Sequence, residues 1–301
     1  MRNILQPFSL PDQTGRTWLV TGATNGLGKE VAAAAAGAGA HVIVAARDTQ
    51  RAQRVQRDLG NASVLPLDLA NLSSIRAAAD SLDRPVDVLV NNAGTVSGNR
   101  TETADGFELM LGTNALGPFA LTNLVLPRVR ERVVIVGSGA HRWRSMDFED
   151  PHFRRRRFSF VAGYGQSKLA DMLWGLGLSR RLAEGARETG TQRIAVQLAH
   201  PGWAQTNLQN HSPWPLINKW VGFAAHFGGQ SASDGAQNIL VAATRDLPEC
   251  SYVGPSGRGE LKGAPVLVGR SQAASDPDLA ERFWAFASAA TGTDLPRVRQ
   301  S

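Results

Sequence analysis

The first 140 residues alternate short, uninterrupted apolar runs with longer segments of helical length. Uninterrupted apolar runs are typical of strands buried on both faces, as in a parallel sheet, whereas a strand with one wet face alternates apolar and polar positions. The pattern predicts strands over residues 17–20, 41–46, 63–67, 86–90 and 132–136. It predicts the intervening helices over residues 26–38, 48–59, 71–82 and 105–126.

The second half of the chain continues this alternation. The pattern predicts helices over residues 162–182, 232–244 and 276–290, and strands over residues 193–199 and 251–253. Because β-α-β units cross over right-handed, we expect an α/β fold, a doubly wound parallel sheet with helices on both faces. No Gly/Ser linker, internal repeat or low-complexity tract divides the chain, so we expect a single domain over residues 1–301.

The composition excludes several other classes of protein. With 43% hydrophobic and 19% charged residues, the chain is too apolar to be disordered. Its single cysteine, Cys250, excludes an internal disulfide framework and a cysteine-built zinc site, and we expect no metal. The longest apolar stretch, residues 31–46, is too short to span a bilayer, and residues 1–16 hold no apolar signal region. We therefore expect a soluble, cytoplasmic protein.

The charge balance is basic, +6 from 32 basic and 26 acidic residues. Most of the arginines are scattered along the chain, which indicates a compositional bias toward arginine more than a surface that binds a polyanion. One block, Arg154–Arg157, stands among phenylalanines in a predicted loop. The sequence leaves three roles open for this block: a solvated rim, a substrate gate or a patch that binds a polyanion. We expect no nucleic-acid partner.

A glycine cluster follows the first predicted strand and opens the first predicted helix. The segment Thr21–Gly28 reads T-G-A-T-N-G-L-G, with glycines at 22, 26 and 28. Such glycines let backbone amides approach a pyrophosphate, which then lies at the positive end of the helix. A plain strand-to-helix turn is the alternative, but the strand before and the helix after favour a dinucleotide.

The second predicted strand ends in Ala46 and Arg47, where an NAD enzyme has a carboxylate for the ribose hydroxyls. A guanidinium there matches an adenosine 2′-phosphate through paired, charge-assisted hydrogen bonds. The alternative is that Arg47 is an ordinary surface arginine that binds no phosphate. We therefore expect NADP(H) as the cofactor, and NAD(H) is the less favoured choice.

Polar residues follow the third and fourth predicted strands at the same edge of the sheet. Asp68 and Leu69 come after the third strand, and Asn91–Gly94 ends the fourth. Ligands of open α/β sheets bind at the carboxyl ends of the strands. Asp68 can accept a hydrogen bond from the adenine amino group, or it can cap the helix that starts near Asn71, and both roles can coexist.

Tyr164 and Lys168 stand four residues apart on a predicted helix, so that their side chains share one face. An ammonium beside a phenol favours the phenolate and lowers the phenol's pKa from about 10. Such a tyrosine exchanges a proton near neutral pH, as hydride transfer at a carbonyl requires. The alternative is that the two residues form a surface pair without a function.

Two further polar residues are candidates for the site. Ser138, after the fifth strand, is suited to holding a carbonyl oxygen, and Asn114 interrupts a predicted helix with a side chain able to anchor a water.

Together these motifs resemble the short-chain dehydrogenase/reductase family. The resemblance covers about residues 15–255 and rests on motifs in compatible order: 21–28, 91–94, Asn114, Ser138, 164–168 and 201–206. It implies that Tyr164 is the general acid/base, that Lys168 lowers its pKa and binds the nicotinamide ribose, that Ser138 orients the carbonyl and that Asn114 holds a relay water. The cofactor-binding residues that it implies are Gly22, Thr24, Asn25, Leu27, Asn91, Ala93, Gly94, Pro201, Gly202, Trp203 and Thr206.

One departure indicates a branch of the family. Ser138 lies 26 residues before Tyr164, and the extra segment, residues 141–160, resembles the insertion of the retinol-dehydrogenase-like branch, as does the Ala-Arg-Asp end of the second strand. The resemblance implies NADP(H) and apolar aldehydes or ketones as substrates.

Residues 203–228 hold several aromatics, among them Trp214, Trp220, Phe223 and Phe227. They predict a lid over an apolar substrate, while a subunit interface in a homo-oligomer or a place in the core stays open. We expect a metal-free, NADP(H)-dependent oxidoreductase acting on a carbonyl or alcohol. The alternative is a protein that senses NADP(H) without catalysis.

Overall fold

The structure, a computed structural model, describes residues 8–190, 193–203 and 230–295. These residues build one eight-stranded sheet with the strand order 3-2-1-4-5-6-7-8. The strands are β1 Thr17–Thr21, β2 His41–Ala46, β3 Ala62–Pro66, β4 Val86–Asn91, β5 Val129–Val136, β6 Ala195–Ala199, β7 Tyr252–Pro255 and β8 Pro265–Leu267. The first seven pair in parallel, and β8 runs antiparallel to β7. The predicted doubly wound sheet is confirmed.

Seven main helices connect the described strands. They are α1 Gly26–Gly37, α2 Thr49–Leu59, α3 Leu72–Ser81, α4, α5 Phe160–Thr189, α6 Ala232–Thr244 and α7 Pro277–Thr291. Helix α4 begins as Leu109–Leu111, passes through a π-helical turn at Gly112–Leu116 and continues as Gly117–Val125.

The helices cover both faces of the sheet, which explains why the strands are apolar throughout. On one face α1, α2 and α6 pack against inward-facing residues such as Trp18 and Val44. On the other, α3, α4, α5 and α7 pack against residues such as Leu19 and Ile135. The strand order reverses between β1 and β4, and a crevice at the carboxyl ends of the strands is expected at such a switch point.

Two boundaries differ from the predictions for local reasons. The helix predicted from residue 105 begins at Leu109, because the Glu108 carboxylate accepts the N–H groups of Met110 and Leu111 and so caps the helix there. Helix α5 runs on past residue 182 and ends at Gly190, which takes the left-handed conformation of a C-terminal cap. The short β8 was not predicted.

Helix α4 also qualifies the expectation that no segment is apolar enough to span a bilayer. Residues 109–128 are long and apolar enough by length and composition, although polar residues such as Asn114 and Thr122 interrupt the apolar run. Of its most apolar window, 83% is buried inside the fold, as in the core helix of a soluble protein.

Candidate functional site

The loops after β1 and β4 are joined by hydrogen bonds and form what we call the phosphate end, residues 21–28 and 91–94. The Thr21 hydroxyl accepts the N–H groups of Asn92 and Ala93, at 3.0 Å each. In return the Asn92 amide donates to the Thr21 carbonyl at 2.9 Å. The two loops that were predicted to line the cofactor are therefore bonded directly to each other.

Two glycines of the phosphate end leave no room for a side chain. Gly22 has φ +68°, and a Cβ there would lie 2.9 Å from the Cα of Ala93. A Cβ on Gly28 would lie 2.4 Å from the Asn92 amide nitrogen and 2.5 Å from the Gly22 carbonyl oxygen. The glycines thus bring strand end, helix start and neighbouring loop into backbone contact.

The start of α1 suits an anionic group. No side chain caps its first turn and no acidic residue stands in it, although α2, α3, α5, α6 and α7 are all capped by side chains. Thr24, Asn25 and Leu27 surround this turn, and none of them is fully buried. Free N–H groups at a helix N-terminus attract phosphate, so the residues present fit a dinucleotide pyrophosphate.

Arg47 follows β2 next to the phosphate end, because the Gly22 N–H donates to the carbonyl of Ala45 at 2.9 Å. Arg47 is exposed. The adjacent carboxylate of Asp48 accepts the Arg51 N–H and pairs with the Arg51 guanidinium at 3.1 Å. The carboxylate next to Arg47 in the chain is thus already paired, and Arg47 itself lies exposed beside the phosphate end.

The polar residues after β3 and β4 have the following places. Asp68 accepts the Ala70 N–H within its own loop, while Asn71, rather than Asp68, caps α3. The carbonyl of buried Leu69 packs against Gly117 of α4. The Asn91 amide donates to the Thr122 hydroxyl at 3.0 Å, and its buried oxygen has no partner among the described residues. Gly94 lies against Asn114, whose oxygen would be 3.3 Å from a Cβ.

Opposite the phosphate end lies what we call the chemical end, residues 138–142 and 164–171. Tyr164 is half-buried on the first turns of α5. Its ring stacks on Phe160, with centroids 5.6 Å apart, and lies 6.2 Å from the Trp143 ring. The Lys168 ammonium is 5.9 Å from the centre of the Tyr164 ring. The predicted tyrosine–lysine pair is therefore close in space.

Lys168 is buried and firmly held. Its Nζ donates to the Val136 carbonyl at 3.1 Å and to the Asp171 carboxylate at 2.9 Å. Burial opposes the charge of Lys168, but the attraction of Asp171 outweighs it and raises the pKa of the ammonium. Burial raises the pKa of Asp171 to about 6, partly opposed by Lys168. Lys168 is therefore a cation at neutral pH, as its predicted role requires.

Ser138 follows β5 and begins the short turn over which α5 packs. Its hydroxyl accepts the Ala140 N–H at 3.2 Å, and the Ala140 carbonyl would be 3.3 Å from a Cβ on Gly165. The Ser138 carbonyl accepts from Nδ1 of His141 at 2.7 Å, while Nε2 of His141 accepts the Ser271 N–H. Burial lowers the pKa of His141 to about 4, so this anchor is neutral.

Asn114 stands in the π-helical turn of α4. Its oxygen accepts the Thr95 N–H at 2.7 Å, and its amide donates to the Thr95 carbonyl and to the Ser167 hydroxyl. Both amide hydrogens are thus used by the protein, so Asn114 ties α4 to α5 and to the loop after Gly94. A π-helical turn is frequently found at a functional site.

The arginine block lies in the insertion between β5 and α5, and three of its four side chains bond to the protein. The Asp150 carboxylate accepts the backbone N–H groups of Arg154, Arg155 and Arg156. The guanidinium groups of these three arginines bond to protein oxygens, including the Gln166 amide oxygen at 2.6 Å. These contacts favour a structural role for three of the four arginines over a polyanion patch.

The segment after β6 places Pro201, Gly202 and Trp203 at the same edge of the sheet. The Trp203 N–H donates to the Leu261 carbonyl at 2.8 Å, and its ring is 41% exposed. Thr206 and the predicted aromatic lid, apart from Trp203, lie outside the described residues. The residues that sequence reasoning missed are Asp171 and His141, since only their burial against the site marks them.

Comparisons with known proteins identify the family of the chain. Residues 16–148 match the family model for short chain dehydrogenases. The chain is 37% identical to mouse polyprenol dehydrogenase over 97% of this chain and 88% of the relative, and 32% identical to human retinol dehydrogenase 13 over 95% and 87%. A crystal structure of an uncharacterized Mycobacterium paratuberculosis protein is 40% identical, with a TM-score of 0.81 over 96% of this chain and 97% of that one.

The predicted family and branch are therefore confirmed, and so is the predicted class of reaction. No group of three or more histidine, cysteine, aspartate or glutamate side chains in the described part of the chain is arranged to hold a metal ion. The chain belongs to the short chain dehydrogenase family, in its retinol-dehydrogenase-like branch, and is a hydride-transfer oxidoreductase.

Proposed function

We propose that this enzyme uses NADP(H) to interconvert an apolar carbonyl compound and its alcohol, with Tyr164 as the general acid/base. The observation that carries the proposal is the buried Lys168 ammonium, held by two acceptors 5.9 Å from the Tyr164 ring. A cation so close stabilises negative charge on the phenol oxygen, and so Tyr164 is suited to give and take a proton at its hydroxyl.

The other residues of the site orient the reactants. When bound, the nicotinamide supplies or accepts the hydride. Ser138 would hold the carbonyl oxygen, and Lys168 would also bind the nicotinamide ribose. Asn114 would position a relay water through its backbone or the remaining lone pair of its oxygen, because its amide hydrogens are used. The residues proposed to bind the cofactor are Gly22, Thr24, Asn25, Leu27, Asp68, Leu69, Asn91, Ala93, Gly94, Pro201, Gly202, Trp203 and Thr206.

The preference for NADP(H) rests on Arg47. It stands exposed beside the phosphate end, where Asp48 is already paired with Arg51. We expect Arg47→Ala to weaken NADPH binding by about tenfold, the loss of one charge-assisted contact, and to leave NADH binding nearly unchanged. Fluorescence titration with both dinucleotides measures this, and equal losses for both would contradict the preference.

An apolar substrate is supported by the surroundings of Tyr164. Trp143 and Phe160 both contact its ring and are 46% and 40% exposed, so they present apolar surface where a substrate must enter. The relatives reported above are named for polyprenol and retinol, which are apolar alcohols. Retinol, geranylgeraniol and 1-octanol are suitable first probes, with retinal and octanal for the reverse direction.

The test is Tyr164→Phe, with Tyr252→Phe as its matched control. Tyr252 is the other tyrosine of the chain, and its buried hydroxyl has no hydrogen-bond partner among the described residues. We expect the Tyr164 variant to fold, to bind NADPH and to lose turnover by about 10²–10⁴-fold, the contribution of a general acid/base. Turnover within about tenfold of the parent would contradict the role of Tyr164. A non-catalytic sensor would show no turnover in any variant.

We further propose a single cytoplasmic domain. All eight described strands belong to one sheet, and the apolar segment of α4 is largely buried. Recovery of the tagged protein in the membrane pellet, resistant to salt washing, would contradict the location. Whether two copies associate is answered by light scattering.

A further inference from the structure

Asp171 is a buried carboxylate in direct contact with the proposed site. It stands one turn after Lys168 on α5 and is 1% exposed. One oxygen accepts the Lys168 ammonium at 2.9 Å, and the other lies 3.4 Å from the indole nitrogen of Trp174. Both oxygens are thus engaged, and the carboxylate faces the lysine rather than solvent.

A carboxylate is an unfavourable choice for this position as far as packing is concerned. The neighbours on the helix, Leu169, Ala170, Met172 and Leu173, are fully buried in the apolar core. Transferring a carboxylate from water into such surroundings is costly, and an apolar residue in place of a buried ion pair is often neutral or stabilising. The carboxylate therefore has to be explained by what it does to Lys168.

The first effect is on position. Lysine has a flexible four-carbon side chain and three N–H donors. Asp171 and the Val136 carbonyl take one donor each, from the helix side and from the sheet side. The ammonium is thereby fixed between α5 and β5, and one donor is left for a cofactor hydroxyl.

The second effect is on charge. The ammonium lies 5.9 Å from the Tyr164 ring, and a bare cation at that distance lowers a phenol's pKa. A carboxylate 2.9 Å from the same ammonium offsets part of its field. The field that acts on Tyr164 therefore comes from the pair and not from Lys168 alone.

Other titratable and charged groups lie around Asp171. From β7, Tyr252 faces it with a phenol whose pKa burial raises well above its ordinary value. Beyond Tyr252, Arg142 pairs with Glu260 at 3.4 Å. The pKa of His141, packed edge-on against Tyr252, is about 4 because of burial. His200 lies 3.3 Å from Glu260, and its ring centre is 4.9 Å from that of Tyr252. All these groups are the same in the wild type and in an Asp171 variant, so a difference between their pH profiles reports on the change at Asp171.

We propose that Asp171 is a positioning residue for hydride transfer: it fixes the Lys168 ammonium and offsets part of the positive charge that acts on Tyr164. This inference rests on the proposed roles of Tyr164 and Lys168. Asp171 itself touches neither substrate nor cofactor and acts through Lys168.

The test is the pH profile of alcohol oxidation by Asp171→Asn, measured as kcat/KM with NADP⁺ and the alcohol that the enzyme oxidises fastest among retinol, geranylgeraniol and 1-octanol. Asparagine keeps the shape and one acceptor oxygen and removes the charge. Because the ammonium is then uncompensated, we expect the midpoint of the rise in rate to move downward by about 0.5–1 pH unit. Glu184→Gln, which removes an exposed carboxylate from the same helix, is expected to leave the profile in place.

A profile that does not move, or that moves upward, would overturn the inference, since a carboxylate that only fills space changes rates equally at every pH. If the asparagine variant does not fold, Asp171→Glu decides: we expect it to keep the wild-type midpoint with a lower kcat, and a shifted midpoint despite the retained charge would refute the role of charge. A Tyr164→Phe enzyme with normal turnover would instead refute the proposed function, so the two failures are distinct.

Discussion

The phosphate end and the chemical end differ in the kinds of residues that form them. The phosphate end consists of small residues and backbone groups, with Thr21, Gly22 and Gly28 packed against the loop after β4. The chemical end consists of large and charged side chains, with Lys168 and Asp171 buried among apolar neighbours. The phosphate end presents free backbone N–H groups in a tight turn, and the chemical end holds a buried ion pair.

Because of this difference, the two ends are sensitive to different kinds of substitution. Backbone contacts tolerate no added atoms, so the phosphate end is sensitive to the smallest increase in side-chain size. Buried charges depend on their partners, so the chemical end is sensitive to changes that leave size alone and alter charge or hydrogen bonding.

After Tyr164→Phe, the largest expected effect is at the chemical end, from Ser138→Ala. Loss of a hydroxyl that holds a developing oxyanion lowers turnover by about 10²–10³-fold, while NADPH binding at the other end is retained. Steady-state kinetics and NADPH titration separate the two effects. Ser145→Ala, an exposed serine in the following insertion, is the control and is expected to be neutral. Normal turnover by Ser138→Ala would mean that the hydroxyl only caps the turn that follows it.

The phosphate end is tested by Gly28→Ala, with Gly37→Ala on the same helix as its control. The new Cβ at Gly28 would lie 2.5 Å from the Gly22 carbonyl, whereas a Cβ at Gly37 meets no atom within 4 Å. We expect Gly28→Ala to cost about 1–3 kcal/mol of stability and to weaken NADPH binding at least about tenfold. Gly37→Ala should gain about 0.5–1 kcal/mol. Similar behaviour of the two variants in urea unfolding would refute the steric account.

A smaller effect is expected from Asp150→Asn, which loosens the insertion leading into α5. Three backbone N–H groups of the arginine block lose a charged acceptor, at a cost of about 1–2 kcal/mol. Turnover should fall together with stability, and NADPH binding should change less. Glu149→Gln removes only an exposed ion pair to Arg282 and should have almost no effect. Equal stability of both variants in thermal unfolding would show that the Asp150 contacts contribute nothing.

The smallest effect concerns the stability of the chemical end between pH 4 and 6. The pKa of His141 is about 4 in the folded protein against 6.5 when free, so this group adds stability as pH rises through the interval. The pKa of Asp171 is about 6 against 3.8, so this group removes stability over the same interval. The two largely cancel in the wild type.

Substitution separates these opposing contributions. Relative to the wild type, His141→Asn should lose stability as pH rises from 4.5 to 6, and Asp171→Asn should gain it, by about 1 kcal/mol in each case. Urea unfolding at the two pH values measures the change. Shifts of the same sign in both variants would contradict the assigned protonation states.

Most of the fold could be predicted because it is encoded locally. Apolar runs marked seven of the eight strands, and the spacing of four residues placed Tyr164 and Lys168 on one helix face. The exception, β8, is three residues long and begins with proline, which is too little for a pattern of burial to show. Helix α4 began late because a single carboxylate, Glu108, caps it, and helical length alone does not reveal that.

The site was predictable only as far as its motifs. The glycine spacing indicated a backbone cradle, but the bonds of Thr21 to the loop after β4 connect residues 71 and 72 positions apart. Asp171 carries no motif, because an aspartate three residues after a lysine is ordinary on an exposed helix. Only the packing of α5 against the sheet makes that pair a buried one.

The contacts of the arginine block with carboxylates such as Asp150 reduce the positive charge that this basic protein presents to other molecules. Arg154 and Arg156 are paired with Glu102 and Asp147, and the guanidinium of Arg156 lies 4.0 Å from the centre of the Phe153 ring. An isoelectric point near 10 counts these cations as though each were free for an approaching molecule. Two of the four positive charges in this stretch are instead partly neutralised by neighbouring carboxylates, so we expect the protein to bind a cation-exchange column less tightly than its isoelectric point implies.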